Sequence, residues 1–76
     1  MGTVVAIGEA AAVMGFALAG ARVIAAATPA AVAEAWRSLD DDVSLVILTP
    51  AADRAVRAQR EAGTGPHVSP LTVVTP

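Results

Sequence analysis

The chain has 76 residues, 55% of them apolar and 16% charged, with a formal net charge of −2. With no cysteine and one histidine it can build neither a disulfide framework nor a zinc staple. All five basic residues are arginine, and one Phe, one Trp and no Tyr leave it without the positive charge and stacking surfaces of a nucleic-acid binder.

At this length hydrophobic burial and ordering entropy nearly cancel, so the chain is read as a single α/β domain over 1–76 whose remaining source of stability is a partner. The β-branched run TVVAI predicts a strand over 3–7, followed by Gly8. Helix formers without a turn cluster then predict a helix over 9–20. Val13, Phe16 and Gly20 are expected to face the sheet, and Gly15, unfavourable inside a helix, to mark a close backbone approach. No charged or hydrogen-bonding side chain occurs from Ala10 to Ala21, whereas a surface helix normally carries a polar face. Met14, Ala17, Leu18 and Ala21 are therefore candidates for a protein–protein interface.

RVIAAA predicts a second strand over 22–27. Thr28-Pro29 is a strong helix start, with Val32, Trp36 and Leu39 recurring on one face, and predicts a helix over 29–39 that Asp40-Asp41-Asp42 ends. The apolar run VSLVIL predicts a third strand over 43–48, of the kind covered on both faces. Thr49-Pro50 repeats the helix start and opens a helix over 50–62, with Asp53 and Arg57 in favourable i, i+4 order and Gly63 as its stop. Arg54, Arg57 and Arg60 advance by three along it, as a solvated face or a docking face for an acidic surface. A Gly/Pro loop over 63–70 leads to a fourth strand over 71–75.

Strands alternating with helices at this spacing imply right-handed crossovers and a small open parallel sheet of order 2-1-3-4, with helices on both faces, a Rossmann-like or flavodoxin-like arrangement. Its usual ligand crevice, at the carboxyl ends of the strands, offers Gly8-Glu9, Thr28, Thr49 and Thr75. No G-x-G-x-x-G follows the first strand, and Glu9 would repel a phosphate. A phosphorylation receiver would need acids after strand one, an acid after strand three and a lysine, which this sequence does not supply. The three aspartates lie at the opposite end of the strands and read as a solvated turn; His67, Ser38 and Ser69 lack a catalytic context. The long apolar stretch is interrupted by Arg22 and Thr28-Pro29 and is too rich in alanine for a membrane span, so a soluble domain without catalytic residues, metal or cofactor is expected.

The segments VVAIGE and VMGFALAGARV resemble the opening of the small central-stalk protein known as F in the V/A-type rotary ATPases and ATP synthases. The positions carrying the likeness are Ile7-Gly8-Glu9, Val13 and Gly15-Phe16-Ala17-Leu18-Ala19-Gly20; VSLVILTPAA and PLTVVTP are similar to that family's third and fourth strands. The resemblance implies a noncatalytic component of the central rotor stalk, cytoplasmic and peripheral to the membrane, that binds the long coiled-coil stalk subunit and helps transmit torque to ion transport. The sequence departs from the family in having only Glu9 and then alanines after the glycine, where members carry Asp- and Thr-containing residues. Members also continue from strand four into a C-terminal helical arm that can reach the catalytic head, so Thr75-Pro76 is expected to mark a truncation. The other readings are a stand-alone module binding an anion or nucleotide at the Thr28 and Thr49 helix starts, and a self-associating module.

Overall fold

The computed structural model describes residues 2–66 and 70–75. The order of elements is β1 (Thr3–Gly8), α1 (Ala10–Ala17), β2 (Arg22–Ala25), α2 (Pro29–Arg37), β3 (Val43–Leu48), α3 (Pro50–Glu61) and β4 (Leu71–Val74). All strands are parallel, in the order β2-β1-β3-β4. The fold is therefore the α/β arrangement expected from the alternating pattern.

Local chemistry explains the helix boundaries. Thr28 accepts from the Ala31 N–H at 3.1 Å and Thr49 from the Ala52 N–H at 3.2 Å, each followed by a proline at the first helical position. At the other ends, Gly20 and Gly63 adopt φ of 90° and 76°. Ala21 then donates to the Phe16 carbonyl, and Thr64 to that of Gln59, closing α1 and α3 with the same left-handed turn. Gly20 is thus an exposed stop and not, as the sequence suggested, a residue facing the sheet. Strand β2 ends two residues early: Ala26 still donates to the Gly8 carbonyl at 2.8 Å, and the chain then leaves the sheet edge for the Thr28 cap.

Most of the core lies on one side of the sheet. Val5, Ile7, Val46 and Leu48 point toward α2 and α3 and form one cluster with Val32, Ala35, Trp36, Ala52 and Val56. Arg60 of α3 lies over the Trp36 ring at 5.1 Å from its centroid, so one end of the arginine row serves as a lid on the core. Asp53 and Arg57 form the expected i, i+4 pair at 2.9 Å. The three aspartates occupy the turn before β3, where Asp42 accepts from the Thr3 hydroxyl at 2.8 Å and Asp40 lies 3.8 Å from Arg22. They fasten the starts of β1 and β2, the second of these pairs being exposed and of small energetic value.

Strand faces alternate, and this alternation defines the second side of the sheet. In register, Val4 lies beside Leu45 and Ala6 beside Ile47, while Leu45 lies beside Leu71 and Ile47 beside Val73. All six point away from α2 and α3. Helix α1 packs on this side over β2 and β1. Val13 is fully buried there, as is Ala6. Among the described residues no helix lies over β3 and β4 on this side, where Leu45 and Ile47 are half-buried and Leu71 and Val73 are 75% and 51% exposed. The expectation that β3 is covered on both faces is therefore corrected. Its apolar run satisfies α2 and α3 with one set of side chains and leaves the alternate set toward a surface.

Candidate docking face

Helix α1 is too short and too rich in alanine to bury itself. Val13 is its one fully buried side chain; Phe16, one turn on, is half-buried, and the remaining helical residues are exposed. Met14 is 65% exposed and Leu18, just past the helix, 95%. Gly15 lies two residues from Val13 and therefore on the outer side. Among the described residues, a Cβ placed on Gly15 would meet nothing within 4 Å, so the close approach expected for it does not occur there. The physical reason is phase: Val13 fixes which side faces the sheet, and that turns Gly15 away.

The sequence-derived interface residues do not form one surface. Met14, Ala17 and Leu18 are exposed together on α1 and its terminal turn, but Ala21 lies beyond the Gly20 turn, half-buried at the entry to β2. Arg54, Arg57 and Arg60 are on α3, across the sheet from α1. Of these, Arg57 is engaged with Asp53 and Arg60 with Trp36. The structure therefore divides the set into an apolar group on one face and a basic group on the other.

What sequence reading missed is the bare half of the sheet beside α1. Leu45, Ile47, Leu71 and Val73 continue the apolar surface of α1 across β3 and β4. Right-handed crossovers from β2 and β3 send α2 and α3 to the same side, leaving α1 alone opposite them. That count of helices per face was the available signal.

The crevice at the carboxyl ends of the strands is lined by Glu9, Ala26, Ala27, Thr28, Pro29, Val32, Thr49, Ala51 and Ala52 and has a volume of about 40 Å³. Pockets that hold a cofactor-sized ligand are roughly 300–1,000 Å³. Each helix start also has little left to offer an anion. Proline removes the first N–H, and the Thr28 or Thr49 hydroxyl takes the third, leaving Ala30 and Ala51 with the free donors. Glu9 adds a carboxylate to the same crevice. Next to it, a Cβ on Gly8 would run into the side chain of Thr49, so the glycine lets β1 pass against the cap of α3. The glycine of the Ile-Gly-acid segment thus has a packing reason in this fold.

His67, Ser69 and Pro76 lie outside the described residues, and Ser38 donates its hydroxyl to the Ala35 carbonyl at 3.1 Å, a helix-end bond. Among the described residues no helix is long and apolar enough to cross a membrane. No family model, no curated protein and no solved structure matches the chain.

Proposed function

We propose that this domain is a noncatalytic docking component of the central rotor stalk of a V/A-type ATPase or ATP synthase, bound to the coiled-coil stalk subunit on the cytoplasmic side of the membrane. The observation that carries the reading is α1. The segment bearing the likeness to the rotor-stalk family, from Val13 to Gly20, folds as a helix and terminal turn whose outer side is apolar throughout and, among the described residues, exposed. A helix without polar groups gains by being covered, and the side chains of a coiled coil provide such cover. In this role the α2–α3 core supplies a rigid body, and the α1 side supplies the contact through which torque is passed on. Coupling of ATP hydrolysis or synthesis to ion transport then belongs to the assembly.

The anion-binding alternative is weakened by the small crevice, by Glu9 and by the single free donor at each helix start. Co-purification with the coiled-coil stalk subunit from the same source, followed by light scattering, separates the two. The docking reading expects a 1:1 complex and no thermal shift with phosphate or nucleotide. A folded domain that forms no complex and is stabilised by phosphate or nucleotide would replace it with the anion-binding module.

A further inference from the structure

Helix α1 and the bare half of the sheet lie side by side on one face, and each has the shape of the other's counterpart. Helix α1 is an apolar ridge over β1 and β2, about 10 Å wide and high. Beside it, among the described residues, β3 and β4 leave a recess about 10 Å across, floored by Leu45, Ile47, Leu71 and Val73. Heights agree as well as widths. Helix α1 starts at the carboxyl end of β1 and descends, so Leu18 lies about 12 Å below Ala10. The row of Val4, Leu45 and Leu71 lies about 13 Å below Gly8, level with Leu18. Met14, one turn higher, is level with the row of Ala6, Ile47 and Val73. A half-turn about an axis parallel to the strands keeps these heights and exchanges ridge for recess.

We propose that the free protein forms a two-fold symmetric dimer in which α1 of each copy fills the β3–β4 recess of the other, with Leu18 seated on Leu45 and Leu71 of the second copy. A single helix from another protein would fill the recess but leave Leu18 bare, because the helical repeat turns it away from Val13 and the sheet. A second copy covers both: its α1 fills the recess, and its own recess closes over α1. Helix α1, apolar all round, is then buried all round. Charge agrees, since a residue near a two-fold axis meets its own copy. No charged side chain occurs from Ala10 to Ala21 or among the four recess residues. A stable dimer needs about 800 Å² from each copy, roughly a sixth of the 4583 Å² that this chain exposes. The outer side of α1 and the recess together make up the whole face opposite α2 and α3. Gly15 shares that outer side, where a missing side chain lets a second backbone come close. The inference goes beyond the docking reading and stands without it; in the assembly the stalk subunit takes the same face, so the dimer and the stalk complex exclude one another.

The test is light scattering of the free protein over a dilution series, with NMR of a sample mixed from two differently labelled batches. The expected result is a mass that rises from monomer to dimer with concentration, and through-space contacts between Leu18 of one copy and Leu71 of the other. Monomer mass throughout, or a dimer without those contacts, overturns the proposal. Leu18→Asp and Leu71→Lys, at exposed positions and folded by circular dichroism, should each weaken dimerisation by about tenfold or more. Mixing the two variants should restore pairing: the new carboxylate meets the new amine at one contact, and Leu18 meets Leu71 at the other. Unchanged dimerisation of either variant, or a mixture that stays monomeric, overturns the reciprocal seat. Added coiled-coil stalk subunit should convert the dimer to the 1:1 complex. A dimer that forms no stalk complex keeps this inference and removes the rotor-stalk partner; a stalk complex from a protein that is monomeric throughout does the opposite.

Discussion

On the α2–α3 side of the sheet, Trp36, Val46, Leu48 and Val56 are no more than 1% exposed; on the α1 side, Leu71 and Val73 are 75% and 51% exposed and Leu18 is 95% exposed. The contrast follows from residue size as much as from topology. The α2–α3 side stacks Trp, Leu, Ile and Val from five elements, and each fully buried aliphatic side chain contributes about 1.5–3 kcal/mol. Helix α1 fully buries only Val13 and half-buries Phe16, and four of its eight residues are alanines, which bury little area. Over β1 and β3 the two sides therefore differ in kind, one holding the fold together and the other leaving apolar surface exposed; at the β4 edge Val74, in register with Leu48, is 42% exposed on the first side as well.

Substitutions of matched size on the two sides put that division at risk, and Trp36→Ala should have the largest effect. It removes the largest buried side chain and the surface on which Arg60 rests, at a cost of about 3–5 kcal/mol. In a domain of this size that is enough to abolish cooperative unfolding in a urea titration followed by circular dichroism. A shift below about 1 kcal/mol would place the indole outside the core. Next comes a like-for-like pair, Val56→Ala and Val13→Ala, both at fully buried positions. Each should cost about 2 kcal/mol, by transfer and cavity terms together. They should differ in reach. Val56→Ala lowers the midpoint of the whole domain, whereas Val13→Ala frees the amides of α1 to exchange while β1 and β3 keep their protection. Equal loss of protection across both sides after Val13→Ala would show that α1 is a full member of the core.

Smaller effects sharpen the comparison from the surface. Gly15→Ala replaces an exposed helical glycine where the new methyl meets nothing, so it should stabilise the free domain by up to about 1 kcal/mol. If a partner backbone approaches Gly15 closely, the same variant should bind less tightly, a divergence that melting and binding measurements would read together. Leu18→Asp should alter stability by no more than about 0.5 kcal/mol, since the side chain is almost wholly exposed, yet disrupt assembly with the coiled-coil stalk subunit. Wild-type assembly by that variant would take the α1 side out of the interface.

The topology was legible because its punctuation is chemical. Thr28-Pro29 and Thr49-Pro50 start helices by hydroxyl caps and a preset φ, and Gly63 stops one by its left-handed turn, so alternation and crossover handedness yield the sheet order. In helix α1 the sequence placed Val13 and Phe16 inward and Met14 and Leu18 outward, as observed, but with almost no polarity contrast it gave the glycines other roles: Gly20 was expected to face the sheet and instead ends the helix, and Gly15 was expected at a close approach that it does not make among the described residues. The apolar run of β3 could not show that only one of its alternating sets is fully covered, because coverage depends on where the helices land. The stacking of Arg60 on Trp36 likewise depends on α2 meeting α3, and the arginine spacing alone suggested a continuous basic row.

The most direct test of the two-sided fold is the bleaching of methyl signals in the isolated monomer by a soluble paramagnetic probe. Leu18, Leu71 and Val73 should broaden at low probe concentration while Val46, Leu48 and Val56 persist. Leu71 and Val73 as protected as Val46 would mean that the α1 side is already covered, and the apolar docking face would not exist.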